Sequence, residues 1–207
     1  MPEKDYRRFW GRYARFYDWE VLRFSKAAYQ RMYGLMSEVL TPDMDVLELA
    51  CGTGLISHNI AGFVHSLQAT DYSEGMIAAA RKKAAPANLS FSIKDATAVS
   101  FPDSCFDAVV ISNALHVMPR PELALAEVKR LLVPDGLLIA PSFTHGHISE
   151  SAWKLNNAIL RLIGFQAYNK WTVEDYLSFI RSQGFEVGRW LVLDAAFPLV
   201  YVEARLL

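Results

Sequence analysis

From residue 43 onward, short apolar runs alternate with segments of helical periodicity, and this alternation constrains the fold more than any other feature of the chain. Strands that alternate with helices form a parallel sheet, joined by right-handed crossovers and covered by helices on both faces. The strands predicted in this part of the chain are residues 45–50, 65–70, 89–93, 106–112 and 136–140. The helices predicted between them are residues 55–63, 73–85 with Ser73 as N-cap, and 121–132.

The C-terminal segment departs from simple alternation. A predicted helix over residues 172–183 is followed by strands over 184–193 and 196–205, with a link of two or three residues around Asp194. Such a link cannot hold a crossover helix, so these strands should pair as an antiparallel hairpin. We therefore predict an α/β fold: a doubly wound, mostly parallel, seven-stranded sheet with a C-terminal antiparallel hairpin.

The length of 207 residues fits a single domain, and the 52% hydrophobic and 21% charged composition is that of a globular protein. Within the domain we expect an N-terminal helical cover over residues 1–40 and a cofactor-binding core over 41–143. A second helical cover is expected over 144–171, and the last helix and hairpin over 172–207.

Charge, cysteine content and hydropathy narrow the classes of function. The net charge of −1 gives no reason to expect nucleic-acid binding, although residues 1–33 carry eight basic against four acidic side chains. No apolar stretch has the length of a signal peptide core or a membrane span. Two cysteines, Cys51 and Cys105, are too few for a disulfide framework or a four-cysteine zinc site. A cytoplasmic protein is the expectation.

The first predicted strand runs into a glycine-containing turn, Glu48-Leu-Ala50-Cys51-Gly52-Thr-Gly54. In open parallel sheets, ligands bind outside the carboxyl ends of the strands, where the first strand turns into its helix. Gly52 and Gly54 permit a sharp turn and a close approach of the backbone to a ligand. A tight turn without any ligand explains two glycines equally well.

The second strand ends at Asp71, and this position favours the ligand interpretation. A carboxylate at that strand tip is placed to accept hydrogen bonds from both hydroxyls of a ribose, as adenosine-containing cofactors require. A nicotinamide dinucleotide remains open at this point, although Ser57 stands where the dinucleotide fingerprint has its third glycine.

Four stretches together resemble the class I S-adenosylmethionine-dependent methyltransferases, in the small-molecule branch that includes the ubiquinone/menaquinone biosynthesis C-methyltransferases. They are VLELACGTGLIS (46–57), ATDYSEGMIAAARKKA (69–84), KDATAVSFPDSCFDAVVISNALHVM (94–118) and ELALAEVKRLLVPDGLLIA (122–140). The resemblance spans about 100 residues in the expected order. It implies S-adenosylmethionine as cofactor, S-adenosylhomocysteine as product and methyl transfer as the activity.

The resemblance also implies roles for individual residues. Glu48 organises the loop and reaches the methionine ammonium indirectly, with Ala50, Cys51 and Gly52 beside the methionine portion. Ala50 replaces a glycine that is often found there. The remaining expected cofactor contacts are Gly54 in the loop, Asp71 at the ribose, Tyr72 and Met76 flanking the adenine, Asp95 and Ala96 at the adenine edge, and Asn113 near the methyl donor. Plain packing for Met76 and a solvated loop position for Asp95 are the competing interpretations.

Methyl transfer needs alignment more than side-chain chemistry, so catalytic groups are expected to be few. His116 in NALHVM is the candidate general base, with a purely structural histidine as the alternative. His145 and His147 lie in a predicted polar loop, and no metal site is expected because no nearby cysteine or carboxylate completes a ligand set.

An aromatic stripe marks the first predicted helix: Tyr6, Phe9, Trp10, Tyr13, Phe16 and Tyr17 fall within about 120° of one another at 100° per residue. The step Tyr17-Asp18 resembles one in the family whose helix closes over the cofactor, so Tyr17 is an expected cofactor contact. Arg8, Arg12 and Arg15 occupy another face of this helix. Simple packing of the stripe is one interpretation, and contact of the helix with an anionic membrane surface is another.

The function expected from these features is methyl transfer to a small lipophilic or aromatic molecule. Apolar residues across 147–170 add to the aromatic helix and suggest an enclosed acceptor pocket. Two other functions stay open: a non-catalytic S-adenosylmethionine-binding sensor or scaffold, and a nicotinamide-dependent oxidoreductase. The sequence leaves the acceptor atom, the substrate and the oligomeric state open.

Overall fold

The computed structural model of the chain describes residues 3–144, 167–195 and 197–207, and the side chains from residue 7 onward within them. Its strands are β1 (Asp45–Leu49), β2 (Ser66–Asp71), β3 (Leu89–Ile93), β4 (Phe106–Ile111), β5 (Leu132–Ile139), β6 (Ser142–Phe143), β7 (Phe185–Leu193) and β8 (Leu199–Leu206). Numbered over these residues, the helices are α1 (Glu3–Phe24), α2 (Lys26–Ser37), α3 (Ser57–Ile60), α4 (Glu74–Ala80), α5 (Pro121–Leu131) and α6 (Val173–Ser182). Short 3₁₀ turns occupy Ala61–Phe63 and Leu115–Val117.

The strands form one sheet in the order β3-β2-β1-β4-β5-β8. Strands β1 to β5 pair in parallel, whereas β8 is antiparallel to β5 on one side and to β7 on the other. The two-residue β6 continues the β5 edge and pairs with the start of β8. The predicted mostly parallel sheet with a C-terminal antiparallel hairpin is therefore confirmed, with β6 as an eighth strand.

Adjacent residues of a strand point to opposite faces of the sheet, and helices bury both faces. On one side, Val46 and Val110 pack with buried residues of α2, α3 and α4. On the other side, Leu47 and Val109 pack with α5 and α6. This arrangement explains the nearly continuous apolar run of β4 and leaves the strand ends as the place where polar side chains collect.

Helix α1 crosses α4 at two glycines. A Cβ built on Gly75 would lie 2.6 Å from the Cα of Gly11, so the backbones touch there. The Ser73 hydroxyl caps α4 by accepting from the Met76 amide at 3.4 Å, and it also lies 3.5 Å from the Arg7 carbonyl oxygen. The predicted N-cap is confirmed, and the same side chain helps to seat α1 over the sheet edge.

Several predicted boundaries are wrong. The fifth strand, expected from residue 136, begins at Leu132. The helix expected to reach residue 85 ends at Ala80, where the chain continues through 3₁₀-type bonds from Lys82 to Ala79 and from Lys83 to Ala80. The helix expected from residue 55 begins at Ser57, after a longer glycine turn. The link expected to span two or three residues runs from Leu193 to Leu199, with the Pro198 carbonyl accepting from Thr144 before β8 begins.

No helix within the described residues has the length and apolar character needed to cross a membrane.

Candidate functional site

The turn between β1 and α3 has an unusual backbone. Ala50, Gly52 and Gly54 all have positive φ, at 55°, 57° and 72°. A Cβ on Gly54 would lie 2.9 Å from the Phe91 ring, so only glycine fits this position. Ala50 tolerates a conformation that costs a non-glycine residue about 1–2 kcal/mol. The backbone is therefore strained where residues 50–54 cross the strand ends, and such strain is typical of a functional turn.

Asp71, at the end of β2, organises this turn. One of its carboxylate oxygens accepts from the Gly52 amide at 2.9 Å, and the other accepts from the Ser73 amide at 2.8 Å. The side chain is buried, and burial raises its pKa to about 6 despite both hydrogen bonds. Each oxygen retains a further lone pair, so the carboxylate can also accept from hydroxyl groups of a ligand.

Glu48 is a second buried carboxylate, one strand away. The Ser57 hydroxyl donates a short hydrogen bond to it, and the structure describes no cationic partner for it within residues 7–144, 167–195 and 197–207. Burial, opposed by the Ser57 bond and assisted by the nearby Asp71 charge, raises the pKa of Glu48 to about 8. A carboxyl group in such a place favours a ligand that brings positive charge or hydrogen-bond donors.

Helix α1 is fastened to the turn by an ion pair that sequence reasoning did not identify. The Asp18 carboxylate accepts from the Thr53 hydroxyl and from the Lys83 ammonium group, both at 2.5 Å. The same ammonium group donates to the Thr53 carbonyl oxygen at 2.9 Å. The sequence pairing Tyr17-Asp18 pointed to this place, but Lys83, beyond the end of α4, carried no recognisable signal.

Near the tip of β3, Arg7 joins two predicted site residues. Its guanidinium lies over the Tyr72 ring, 5.2 Å from the centroid, and 3.8 Å from an Asp95 carboxylate oxygen. The other Asp95 oxygen accepts from the Thr97 amide and hydroxyl at 2.9 and 2.8 Å. The structure therefore brings Tyr72 and Asp95 together beside α1, and Asp95 also stabilises its own loop.

Hydrogen bonds link α2 to the tips of β4 and β6. Burial raises the pKa of the Tyr17 and Tyr29 phenols, and each lies close enough to affect the pKa of the other. The Asn113 amide donates to the Tyr29 oxygen at 2.9 Å and accepts from the Phe143 amide at 3.1 Å. Asn113 has φ of 53°, so its backbone is shaped for this position. Tyr29 has no sequence signal apart from the helical pattern of α2.

Ser112, just before Asn113, carries a buried hydroxyl without a hydrogen-bond partner in the described part of the chain. Strand alternation puts it on the same sheet face as Val110, which pairs with Glu48 across the strands. A buried hydroxyl normally finds a partner. Its position therefore favours a ligand that supplies one.

His116 is buried in the 3₁₀ turn that follows β4. Its Nδ1 lies 3.3 Å from the Ser142 hydroxyl oxygen, and its ring meets the Phe143 ring edge-to-face at 6.3 Å. Its carbonyl oxygen accepts from the Tyr168 and Asn169 amides, each at 3.0 Å. A role as general base stays a prediction. His145 and His147 lie outside the described residues, as do most of the predicted second cover.

The remaining predicted site residues lie along the same edge. Cys51 is buried in the turn, and its amide donates to the Thr70 carbonyl oxygen at 2.9 Å. Met76 is buried, with its sulfur 3.9 Å from where a Cβ on Gly52 would lie. Ala96 is buried after β3. The topology thus gathers the predicted residues at the carboxyl ends of β1 to β4, and their contact with a cofactor remains a prediction.

Comparison with known proteins shows what the central part of the chain resembles. A family model described as a methyltransferase domain matches residues 47–140. A demethylmenaquinone methyltransferase of Renibacterium salmoninarum is 38% identical over 104 residues, covering 50% of this chain and 43% of the relative. A ubiquinone/menaquinone biosynthesis C-methyltransferase of Paraburkholderia xenovorans is 32% identical over 123 residues, covering 55% and 49%. The chain spans about half the length of these curated relatives.

The fold also has solved counterparts. An S-adenosylmethionine-dependent methyltransferase of Thermotoga maritima superposes with a TM-score of 0.70 over 97% of this chain and 99% of that one, at 19% identity. This likeness supports the fold, and the domain matched over residues 47–140 and the relatives support the resemblance drawn from the sequence motifs.

Proposed function

We propose that this chain, a member of the class I S-adenosylmethionine-dependent methyltransferase family, transfers a methyl group from S-adenosylmethionine to a small lipophilic or aromatic acceptor. The observation that carries the proposal is the pair of buried carboxylates, Glu48 and Asp71, on either side of a positive-φ turn. The relatives' names support a quinone-type acceptor, since both refer to menaquinone or ubiquinone synthesis.

The residues present fit this cofactor. Asp71 retains lone pairs for ribose hydroxyls, and Glu48 has the character of a partner for an ammonium group or a cationic sulfur nearby. The Ser112 hydroxyl, which is unsatisfied within the described residues, supplies a further polar contact. Tyr72, Met76, Asp95 and Ala96 would border the adenine in this arrangement.

The acceptor would lie beyond Asn113, where aromatic rings collect. The Phe143 ring lies between the rings of His116 and Phe197, with edge-to-face centroid distances of 6.3 and 6.4 Å. Aromatic acceptors are favoured by such walls, because rings pack edge-to-face with about 0.5–1.5 kcal/mol beyond the buried area. Tyr17 and Tyr29 add further aromatic surface on the α1 side.

The bound cofactor would supply an electrophilic methyl group on a positively charged sulfur. The chain's own contribution is alignment and the exclusion of water, because in-line transfer depends chiefly on holding the acceptor atom near the methyl group. The Asn113 amide, fixed between Tyr29 and Phe143, gives the site a rigid polar corner. His116 would hold a proton taken from a hydroxyl or carbon acid.

Titration calorimetry with S-adenosylhomocysteine and, separately, with NAD(H) tests the cofactor. We expect S-adenosylhomocysteine to bind and Asp71→Asn to weaken binding by roughly 10-fold or more, since one charged acceptor for the ribose is lost. Asp43→Asn, at an exposed carboxyl before β1, is the control variant and should bind normally. Binding of NAD(H) alone would contradict the proposal.

A second experiment tests transfer itself. Release of S-adenosylhomocysteine is measured against panels of quinone precursors, phenols, thiols, amines and lipid headgroups. Turnover with phenolic or quinone-type acceptors is the expected result. Cofactor binding without turnover across all these panels would instead favour the sensor or scaffold.

A further inference from the structure

The outer face of helix α1 combines basic and large apolar side chains, and the site described above does not use it. Residues of this face lie within about 120° on the helix at 100° per residue, and we call them the α1 outer face: Arg8, Arg12, Arg15, Phe16, Trp19, Leu22 and Arg23. All are exposed, with Phe16 and Trp19 at 62% and 64%. Phe24, at the end of the helix, is also exposed.

The opposite side of α1 faces the domain. Ala14 and Val21 are buried, Gly11 touches α4, and Asp18 is held by Lys83. Because these contacts fix the rotation of the helix about its axis, the outer face cannot turn inward without breaking them. Within the aromatic stripe, Phe16 does not pack on the domain but belongs to the exposed side.

Basic side chains dominate this face. Arg8, Arg12, Arg15 and Arg23 make no ion pair within residues 7–144, 167–195 and 197–207, and the Arg23 guanidinium lies over the Phe24 ring, 5.4 Å from the centroid. On the helical wheel Asp5 shares this face, and Asp18 and Glu20 each lie about 40° beyond one of its margins. Four guanidinium groups therefore stand among exposed aromatic and aliphatic side chains.

We propose that the α1 outer face docks on the surface of an anionic lipid bilayer, with Phe16, Trp19 and Leu22 entering the headgroup region. Charge complementarity selects the lipid, because arginines on an amphipathic helix bind anionic headgroups while tryptophan and phenylalanine sit at the interface. A nucleic acid would use the arginines but gain little from an exposed leucine. Docking is independent of the proposed methyl transfer, although it would place the cofactor edge beside a source of lipophilic acceptors.

Sedimentation with vesicles tests the docking. The full chain is mixed with vesicles of phosphatidylcholine alone or with 30% phosphatidylglycerol, at low and at physiological salt. Binding is expected only with phosphatidylglycerol and should weaken with salt. The triple variant Arg8→Gln/Arg12→Gln/Arg15→Gln should reduce the partition coefficient by roughly 100-fold, at about 5-fold for each arginine near the surface.

The matched control removes three exposed cations elsewhere: Lys82→Gln/Lys129→Gln/Arg181→Gln. It should bind vesicles like the parent chain, because these side chains lie outside the α1 outer face: just after α4, on α5 and on α6. Equal losses in both triple variants would overturn the proposal, since binding would then follow net charge alone. Circular dichroism and S-adenosylhomocysteine binding of each variant show that fold and cofactor site are intact, so failure of docking and failure of the proposed function are separable.

Insertion of the apolar side chains has its own readout. Brominated lipid should quench tryptophan fluorescence in the parent chain, and Trp19→Phe should lose most of that quenching while Trp190→Phe, at an exposed position on β7, retains it. Absence of quenching at Trp19 in bound protein would overturn the proposed orientation. RNA binding that is tighter than vesicle binding and unaffected by Phe16→Ser would favour a nucleic acid and overturn the lipid assignment.

Discussion

As the pH rises, the parent chain should lose stability, and replacement of Glu48 by glutamine should make the free energy of unfolding nearly independent of pH. The folded chain holds the pKa of this carboxyl at about 8, against an ordinary 4.5, because the group is buried. The folded state therefore keeps a proton that the unfolded chain releases between these values. Stability contributed by the protonated carboxyl is fully present below pH 4.5 and is lost as the pH rises toward 8.

The magnitude follows from the difference in pKa. A gap of about 3.5 units at 1.36 kcal/mol per unit corresponds to about 5 kcal/mol across the whole window. Asp71, whose pKa is raised to about 6, contributes in the same direction but only below that pH. Between pH 6 and 8 the deprotonation of Glu48 should account for most of the change in the free energy of unfolding, which falls by up to about 1.4 kcal/mol per pH unit. Glutamine has no proton to lose and can still accept from Ser57.

The assay is urea unfolding of the unliganded chain at pH 5.5, 6.5, 7.5 and 8.5, followed by circular dichroism. The free energy of unfolding of Glu48→Gln relative to the parent should rise by about 1 kcal/mol per pH unit between pH 5.5 and 7.5, and the rise should level off as the pH passes 8. Glu186→Gln, at an exposed position of β7, is the matched control and should track the parent. A constant difference between Glu48→Gln and the parent would refute the assignment of a proton to buried Glu48.

Three further predictions concern backbone and packing. Gly54→Ala should destabilise the fold by about 2 kcal/mol or more in urea unfolding, because a Cβ would clash with the Phe91 ring of β3 and φ is 72°. Gly62→Ala, whose Cβ would have nothing within 4 Å, should be nearly neutral, and equal effects of the two changes would contradict the close approach of Gly54 to Phe91. Gly75→Ala should displace α1 and speed its cleavage in limited proteolysis, while Gly11→Ala, whose Cβ meets its nearest neighbour at 3.6 Å, should not; unchanged cleavage in both would refute the crossing. Ser112→Ala should raise the thermal unfolding midpoint of the unliganded chain, because it removes a buried hydroxyl that costs about 1 kcal/mol while it lacks a partner. The same variant should gain less stability on binding S-adenosylhomocysteine, and a lower midpoint without ligand would show that the hydroxyl has a partner.

Much of the candidate site could be predicted because of where parallel strands end. Four polar residues lie at or just beyond the ends of successive strands, and the carboxyl ends of parallel strands meet at one edge: Glu48, Asp71, Asp95 and Asn113. Finding the strands was therefore enough to bring these side chains together. The resemblance to a family then assigned their expected roles.

Contacts between distant segments could not be predicted in the same way. The Asp18 to Lys83 ion pair, the Tyr29 to Asn113 hydrogen bond and the unsatisfied Ser112 hydroxyl depend on how helices rest on the sheet. No local periodicity encodes these distances. The raised pKa of Glu48 likewise depends on complete burial, which a strand pattern alone does not measure.

Helix α1 shows which features follow from the sequence and which depend on the tertiary structure. The sequence by itself determined that the N-terminal 40 residues are helical and that the first helix carries an aromatic stripe with arginines on another face, because local periodicity follows from backbone geometry. Only the tertiary structure decided which side is buried. Aromatic residues can face either a core or an interface, whereas the close contact of Gly11 with Gly75 and the ion pair of Asp18 with Lys83 fix the rotation of the helix, and leave Phe16, Trp19 and the arginines facing outward.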